Sequence, residues 1–579
     1  MKKFSFSNPI LQWFLLAVVV VLCGSLIRFY NLTTIPNGLT WDEVAIGYSG
    51  WSVWETRRDE WLQLLPISFR SYGDYKAPLA IYTVGLFTHI LGMTAYAIRL
   101  PFALIGSISI LIMGWLSFEW LSHFFFTKDT SDKKAAKSAS FPVLQYGYVV
   151  LAMALLAFSP WHIHFSRAGF ESGIAMGIVM FGLASWYRMR NTKQMIWLFV
   201  SVVSFAASLY TYHSTKIVVP LLGLLLVISS WRFVVDKIKW FIGAGVFGAG
   251  LLVPLAYDSI FREGASRLTQ TSIFSLDISF VDKVVLFGTQ YLQHLTPSFL
   301  VLGDVVNYRQ GMGEWGVLLP IPFLLVVTSV FVCLFLAYQH FFGKKNTKKT
   351  TDKSNNSLLI NLVTGWLIVL IALIPGALGL DEVPHTIRSL LALPAFILLI
   401  IVTTKAILEY ILVSKVNKNI LGSHDEKNVT LKAILGTGVL LHVLSIIAML
   451  HSYFVTFPER SAELYVSEYL TAMEIAQEYA TGSNGKQEKD KILVSDEYGQ
   501  PHMYTLFANE IHPFAYRNGF LVKYEFTKVT VGDLMRENAL VIVTGDEEGF
   551  WPDRATQVLR DDFGNIEFMI FETQSPETE

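Results

Sequence analysis

Charge and cysteine are both scarce in this sequence. Only 16% of its 579 residues are Asp, Glu, Lys or Arg, where a soluble chain carries about a quarter. A string of water-soluble domains is therefore excluded. The two cysteines, Cys23 and Cys333, both lie inside apolar runs, which leaves no disulfide framework and no cysteine metal site. A net charge of −1 supplies no bulk attraction for nucleic acid, and none is expected as a partner. There is no glycine-rich phosphate loop, no Cys/His cluster and no repeat of solenoid or inverted-transporter period.

What the chain has instead is apolar length. Mean hydropathy is +0.46 and 53% of residues are hydrophobic, gathered in blocks of roughly twenty, the length that crosses the hydrocarbon core as a helix. Spans are expected at about 10–29, 97–121, 142–159, 172–187, 194–210, 216–231, 239–257, 317–340, 357–376, 386–404 and 430–451, roughly eleven in all. The start, MKKFSFSN followed by ILQWFLLAVVVVLCGSLI, resembles a signal sequence but lacks a small-x-small cleavage site, so it reads as an uncleaved first span.

The joins alternate in character. KDTSDKKAAK (128–137), RMRNTK (188–193), RFVVDKIK (232–239), GKKNTKKTTDK (343–353) and the stretch around Lys415 and Lys418 are short and basic. The positive-inside rule puts these, and the N-terminus, on the cytoplasmic side of the cell membrane. PLAIYTVGLFTHILG (78–92) is too short to cross comfortably. Counting it as a crossing would turn every later basic join outward, so it reads as interfacial or re-entrant. The outer side then receives 30–96, 160–171, 211–216, 258–316, 377–385 and the tail from 452. In that tail KILVSDE, ALVIVTG and IEFMIFE are strand-like, while VGDLMRE and ATQVLRD are helix-like. The alternation predicts a small α/β domain over 452–572, and the polar 573–579 is expected to be disordered. The fold class expected is thus a polytopic helical membrane protein over 1–451 with an extracytoplasmic α/β domain.

Ionisable side chains collect on the outer side. Loop 30–96 has Trp41-Asp42-Glu43, then Asp74 and Lys76, with Arg99 just beyond it. SPWHIHFSRAGFES has His162, His164, Arg167 and Glu171. YTYHSTK has Tyr212, His213 and Lys216. The later loops add His294, Asp304, Arg309, His385 and Arg388. Each has a plain structural reading. Asp42 and Glu43 suit the N-terminus of an interfacial helix; Lys76, Arg99 and Arg167 suit anchoring to lipid headgroups; the histidines suit satisfied interfacial positions. Taken together, Arg, Lys and His beside a carboxylate also suit a phosphate leaving group and a general base for an attacking hydroxyl.

The order WDE, YKAPL, IRLPFAL, SPWHIHFSRAGFES, with FLVLGD and HTIRSLLALP further on, resembles the lipid-carrier-dependent GT-C glycosyltransferases over residues 1 to about 400. These include protein O-mannosyltransferases and the aminoarabinose transferases of lipid A. The resemblance implies inverting transfer of a sugar from a polyprenyl-phosphate donor to an acceptor hydroxyl on a protein, glycan or lipid, at the outer membrane face. It implies Asp42 as general base, with Glu43 supporting the site or contacting the acceptor. Lys76 matches the lysine of the family's Lys-Pro-Pro-Leu-like motif, and with Arg99 would contact the phosphate or order the loop around it. Arg167 and Arg388 would be further phosphate donors. Asp74, His164, Glu171, Tyr212, Lys216, His294 and His385 would line the substrate site.

There are departures from the family pattern. The motif here is Lys76-Ala77-Pro78, and Tyr75 stands where aminoarabinose transferases carry Glu, which argues against importing their sugar or acceptor. The long lumenal insert of eukaryotic O-mannosyltransferases and the Trp-Trp-Asp run of oligosaccharyltransferases are missing, which disfavours en bloc transfer to Asn. No cluster has metal-ligand spacing, so no cofactor is expected, although a divalent metal would be compatible with the chemistry. The competing class is a lipid-linked-sugar flippase or transporter with the outer charges as its vestibule; it calls for charges at mid-membrane, of which the spans hold few.

Overall fold

The computed structural model describes residues 8–72, 74–125, 141–262, 272–303, 307–342, 349–380, 382–416 and 424–573. The basic joins 128–137 and most of 343–353, Asp304, and the tail 574–579 lie outside the described residues, as does the side chain of Asp74.

Every predicted span falls on a helix. The bundle is formed by α1 (Pro9–Phe29), α4 (Ala95–Phe125), α5 (Phe141–Ala157), α7 (Glu171–Thr192), α8 (Ile196–Leu209), α9 (Thr215–Ser229), α11 (Ile238–Phe261), α13 (Pro320–Phe342), α14 (Lys349–Ala377), α15 (Leu393–Val416) and α16 (His424–His451). Among the described residues seven helices are long and apolar enough to cross a membrane, while α5, α8 and α9 are shorter apolar helices. α7 is different in kind: it carries more polar residues but is buried along most of its length, between α4 and α8. The centre is one apolar cluster running from Trp120 and Trp161 through Met180 and Leu222 to Phe396 and Ile400.

Two helices lie between α1 and α4. α2 (Trp41–Thr56) and α3 (Pro78–Leu91) pack along each other, joined through a short antiparallel hairpin of β1 (Phe69–Ser71) and β2 (Asp74–Lys76). The 14 residues of α3, like the 14 of α8, reach only about 21 Å, against a hydrocarbon core of roughly 30 Å. A Cβ on Gly85 would stand 2.3 Å from the Gly50 carbonyl oxygen; the bare α-carbons let the two backbones touch. Further short helices are α6 (Pro160–Phe165), α10 (Trp231–Asp236) and α12 (Phe280–Gln293).

The last span does not stop at 451. It continues through a π-helical turn, Ser452–Thr456, into α17 (Phe457–Tyr465), and ends where Val466 takes a left-handed conformation. Beyond it α18 (Tyr469–Thr481), α19 (Pro501–Ala508) and a five-stranded sheet follow. The sheet order is β4 (Tyr524–Thr527), β3 (Lys491–Ser495), β5 (Ala539–Thr544), β7 (Ile566–Glu572), β6 (Gln557–Arg560). β3 pairs in parallel with β4 and β5, and β7 runs antiparallel to β5 and β6.

The three strand-like runs are strands. The helix-like reading of ATQVLRD is corrected: Gln557–Arg560 is strand β6, with Val558 opposite Met569. Four residues are too few for a free-standing helix, and pairing with β7 decides their state. VGDLMRE supplies a short 3₁₀ turn, Val531–Met535. The domain shares its core with α2 and α3: Val44, Tyr48, Ile81 and Val84 cluster with Tyr469, Met503 and Phe507.

Candidate active site

The site is built around the start of α2. Thr40 caps this helix: its Oγ1 accepts from the Glu43 N–H, and the Glu43 carboxylate accepts from the Thr40 N–H at 3.0 Å, a complete capping box. The same carboxylate receives Arg99 Nε at 2.8 Å, Arg99 Nη2 at 3.3 Å and the Gly169 N–H at 3.1 Å. A Cβ on Gly169 would meet Glu43 Cγ at 2.7 Å, so only glycine admits the side chain there. Glu43 is completely buried. Of the two roles the resemblance left to it, supporting the site fits and contacting an acceptor does not.

Of the two roles the resemblance left to Arg99, ordering the loop fits its contacts and reaching the phosphate does not, and the phosphate contact expected of Arg167 does not fit either. Both are 0% exposed and have no face open to a lipid phosphate. Arg99 donates to the carbonyls of Leu32, Pro36 and Gly38, at 3.2, 2.9 and 2.5 Å. Arg167 donates to Ile27 and Arg28, the last carbonyls of α1, and to Asn31 and Ile35, at 2.6 to 3.2 Å. The run 30–40 forms neither helix nor strand, so its buried carbonyls need donors from elsewhere, and a helix C-terminus leaves carbonyls unsatisfied. The two guanidinium groups meet both needs and thereby fix Thr40, the residue that starts α2.

Asp42 is the contrasting acid. It lies one position earlier on α2, keeps 32% of its side chain exposed and is ion-paired to the nearly buried Lys76 at the end of β2. The hairpin that carries Lys76 is held from the bundle: His213 Nε2 donates to the Tyr75 carbonyl at 2.7 Å, and the Leu79 N–H donates to the Tyr210 carbonyl at 2.9 Å. The turn of Tyr212 and Lys216 is thus docked against the Lys76 strand; Tyr212 is buried and Lys216 half-buried.

Arg309 completes this side, and its role was not read from the sequence. Its guanidinium lies 3.7 Å from the centre of the Trp41 ring, Nε donates to the Leu464 carbonyl at 3.0 Å, and Asp42 is among the charges acting on it. It follows FLVLGD in the same outer loop but belongs to none of the quoted motifs; the only sequence signal is an arginine in an outer loop.

Of the histidines expected at the substrate site, His164 and His294 are buried and bonded to backbone groups. His164, 1% exposed, donates from Nε2 to the Arg309 carbonyl at 2.8 Å, and burial holds its imidazole down at about pKa 4. His294, fully buried, donates from Nδ1 to the Gln290 carbonyl at 2.8 Å and accepts the His385 N–H on Nε2 at 3.0 Å, tying two outer loops together. Burial likewise lowers its pKa. His385 is itself buried. Arg388 is half-buried with its guanidinium against Gly379, and Glu171 is half-buried at the start of α7. Among the described residues no three His, Cys, Asp or Glu side chains gather closely enough to hold a metal ion.

The α/β domain roofs this site. Tyr504 Oη donates to the Leu39 carbonyl at 2.7 Å and Tyr48 Oη to the Ile511 carbonyl at 2.6 Å, while Tyr72 Oη, from the turn of the β1–β2 hairpin, donates to the Trp41 carbonyl at 2.9 Å.

A helical membrane bundle, two helices led by an acid pair, and a small α/β domain over them define a GT-C-type architecture. The chain is similar in fold to ArnT from Cupriavidus metallidurans in the apo state, with a TM-score of 0.51 at 12% identity, covering 97% of this chain and 98% of that one. The same organism's ArnT bound to undecaprenyl phosphate aligns at a TM-score of 0.48 and 12% identity, covering 98% of each chain. An apo oligosaccharyltransferase from Archaeoglobus fulgidus aligns at 0.44 and 12% identity, over 92% of this chain and 70% of that one. No family model and no curated protein matches the sequence.

Proposed function

We propose that this protein is an inverting glycosyltransferase that moves a sugar from a polyprenyl-phosphate donor to an acceptor hydroxyl at the outer face of the membrane. The observation that carries the reading is the sorting of the acid pair: Glu43 is spent on Arg99 and a helix cap, while Asp42 remains partly open beside Lys76. A fold shared at 12% identity leaves function to be argued from the site.

Asp42 takes the proton of the acceptor hydroxyl as its oxygen bonds to the anomeric carbon. The bond from that carbon to the phosphate oxygen breaks on the opposite side, and the electron pair leaves with the lipid phosphate. Lys76 orients the Asp42 carboxylate, and with Arg309 and Arg388 it offers positive charge to the departing phosphate, each such donor being worth a few kcal/mol. Arg99 and Arg167 act at one remove, by fixing run 30–40. The tyrosine-held α/β domain limits water at the site, which strengthens these interactions. The sugar and the acceptor, whether protein, glycan or lipid, are set by the surfaces that bind them.

The test is reconstitution of the full chain in proteoliposomes with a radiolabelled polyprenyl-phosphate sugar and cell-envelope acceptors. Labelled acceptor is expected with the wild type. Movement of the label across the bilayer with no product identifies a flippase instead and sinks the proposal.

A further inference from the structure

The end of the bundle away from the acid pair carries a second concentration of positive charge. α7 starts beside the site at Glu171 and runs 22 residues to Thr192, which places its far end about 30 Å away. There the Arg190 guanidinium lies 4.4 Å and the Lys193 ammonium 4.7 Å from the centre of one ring, Phe233 of α10. Two cations on one aromatic ring attract the ring and repel each other. Burial, and then the Arg190 charge, hold Lys193 below its usual pKa range.

Among the described residues the nearby anions do not answer this charge. Glu119 is buried and taken by Arg188 at 3.0 Å and by the Asn191 amide at 2.7 Å. Asp236 is exposed, among the exposed cations Arg232, Lys237 and Lys239. Among the described residues Nε and Nη1 of Arg190 have no acceptor, so no neighbouring carboxylate neutralises this guanidinium. The surroundings identify the occupant's setting: Trp231 and Trp240 are 61% and 51% exposed, beside exposed Ile238 and Ile242. Exposed Trp next to Lys and Arg is the composition of a membrane–water boundary.

We propose that Arg190, Lys193 and Phe233 form a headgroup site for an anionic phospholipid of the leaflet opposite the acid pair, with Arg232, Lys237 and Lys239 widening its positive field. The lipid phosphate stands between the Arg190 guanidinium and the Lys193 ammonium, removing their repulsion. The acyl chains lie along the exposed apolar surface of α11. Cations near an anionic leaflet act cumulatively. The site is independent of the transfer reaction.

The experiment uses the full chain in nanodiscs of phosphatidylcholine, with and without phosphatidylglycerol, followed by thermal unfolding and by native mass spectrometry of retained lipid. Phosphatidylglycerol is expected to raise the unfolding temperature of the wild type and to be retained. The R190Q/K193Q double variant is expected to bind it on the order of 10-fold more weakly and to lose the temperature shift. Lys193→Gln alters an exposed side chain and keeps the test readable if Arg190→Gln does not fold; it is expected to give a smaller loss in the same direction. An equal phosphatidylglycerol response in wild type and variants overturns the proposal. So does an equal shift from inorganic phosphate in phosphatidylcholine discs, which would identify a free-anion site.

Discussion

Beneath the first turn of α2, Glu43, Arg99 and Arg167 are wholly out of solvent, and every contact they make serves the chain itself. On the outer side of the same turn Asp42 keeps a third of its side chain open, with Lys76 paired to it and Arg309 stacked on Trp41. The two layers are one residue apart in sequence and differ in what their charges do. The lower layer exists because run 27–38 exposes carbonyls to a dry interior, and an unsatisfied buried carbonyl or an unpaired buried guanidinium each costs free energy. The upper layer is tied to the chain by fewer bonds, Arg309 to the Leu464 carbonyl and Lys76 to Asp42, and the function proposed above draws on its charges. On that proposal Arg99 and Arg167 hold a loop, while Lys76 and Arg309 face a ligand.

The sharpest way to break this division is to neutralise the two acids separately. Asp42→Asn is expected to reduce sugar transfer by about 10²–10⁴-fold, the range of a lost general base, with thermal unfolding unchanged. Glu43→Gln strips Arg99 of its counter-charge and weakens the α2 cap, so its first effect is on unfolding temperature and yield of folded protein. If both variants unfold alike, the layers are not distinct.

The arginines provide the next comparison. Arg99→Met and Arg167→Met remove buried donors whose partners stay behind; for Arg99 that partner is a buried charge, and breaking such a pair costs about 3–5 kcal/mol. Arg388→Gln, on a half-buried side chain, is expected to leave stability within about 0.5 kcal/mol and to weaken transfer. Urea or thermal unfolding together with transfer kinetics checks both. A stable, slow Arg99→Met would move that residue back to the upper layer.

Much of this was legible in the sequence, and the part that was not has a physical reason. Blocks of about twenty apolar residues located each span, because the hydrocarbon core sets one length. Asp42 and Lys76 were singled out, and the structure pairs them. What residue type cannot show is which way an arginine points: Arg99 and Arg167 read as phosphate ligands by charge alone, yet the carbonyls that consume them come from a run with no periodicity to announce it. One local signal was available, since Thr40-x-x-Glu43 is a capping-box pattern and marks Glu43 as structural. Gly169, in the same SRAGFES run as Arg167, shows why the quoted motifs occur together: WDE, IRLP and SRAGFES meet in one buried cluster. Arg309 was missed as a site residue because its stack on Trp41 joins positions far apart in sequence, and β6 was misread because a four-residue segment fits either period until β7 pairs with it.

The smallest expected effect concerns how the α/β domain rests on the outer layer. Arg517 lies 3.8 Å from the centre of the Trp61 ring and donates from Nε to the Glu60 carbonyl at 2.6 Å. The Glu60 side chain is 4% exposed; its Oε1 accepts from Trp61 Nε1 at 2.7 Å and its Oε2 has no partner. Burial outweighs the Trp61 hydrogen bond and, with the adjacent Asp59, raises this carboxyl from 4.5 to about 7. A carboxyl whose pKa is higher folded than unfolded binds its proton more tightly in the folded state. Its favourable contribution is therefore complete below about pH 4.5 and is lost as pH rises through about 7. Unfolding temperature measured from about pH 5 to pH 8 should thus fall through this window, with Glu567 of β7, also raised by burial to about 7, adding in the same direction. Glu60→Gln, which keeps a Trp61 acceptor without an ionisable proton, should flatten the curve but leave the Glu567 part of the slope. An unchanged slope in that variant would mean Glu60 reaches water in solution, and that the contact between Arg517 and run 57–66 is looser than the buried layer beneath α2.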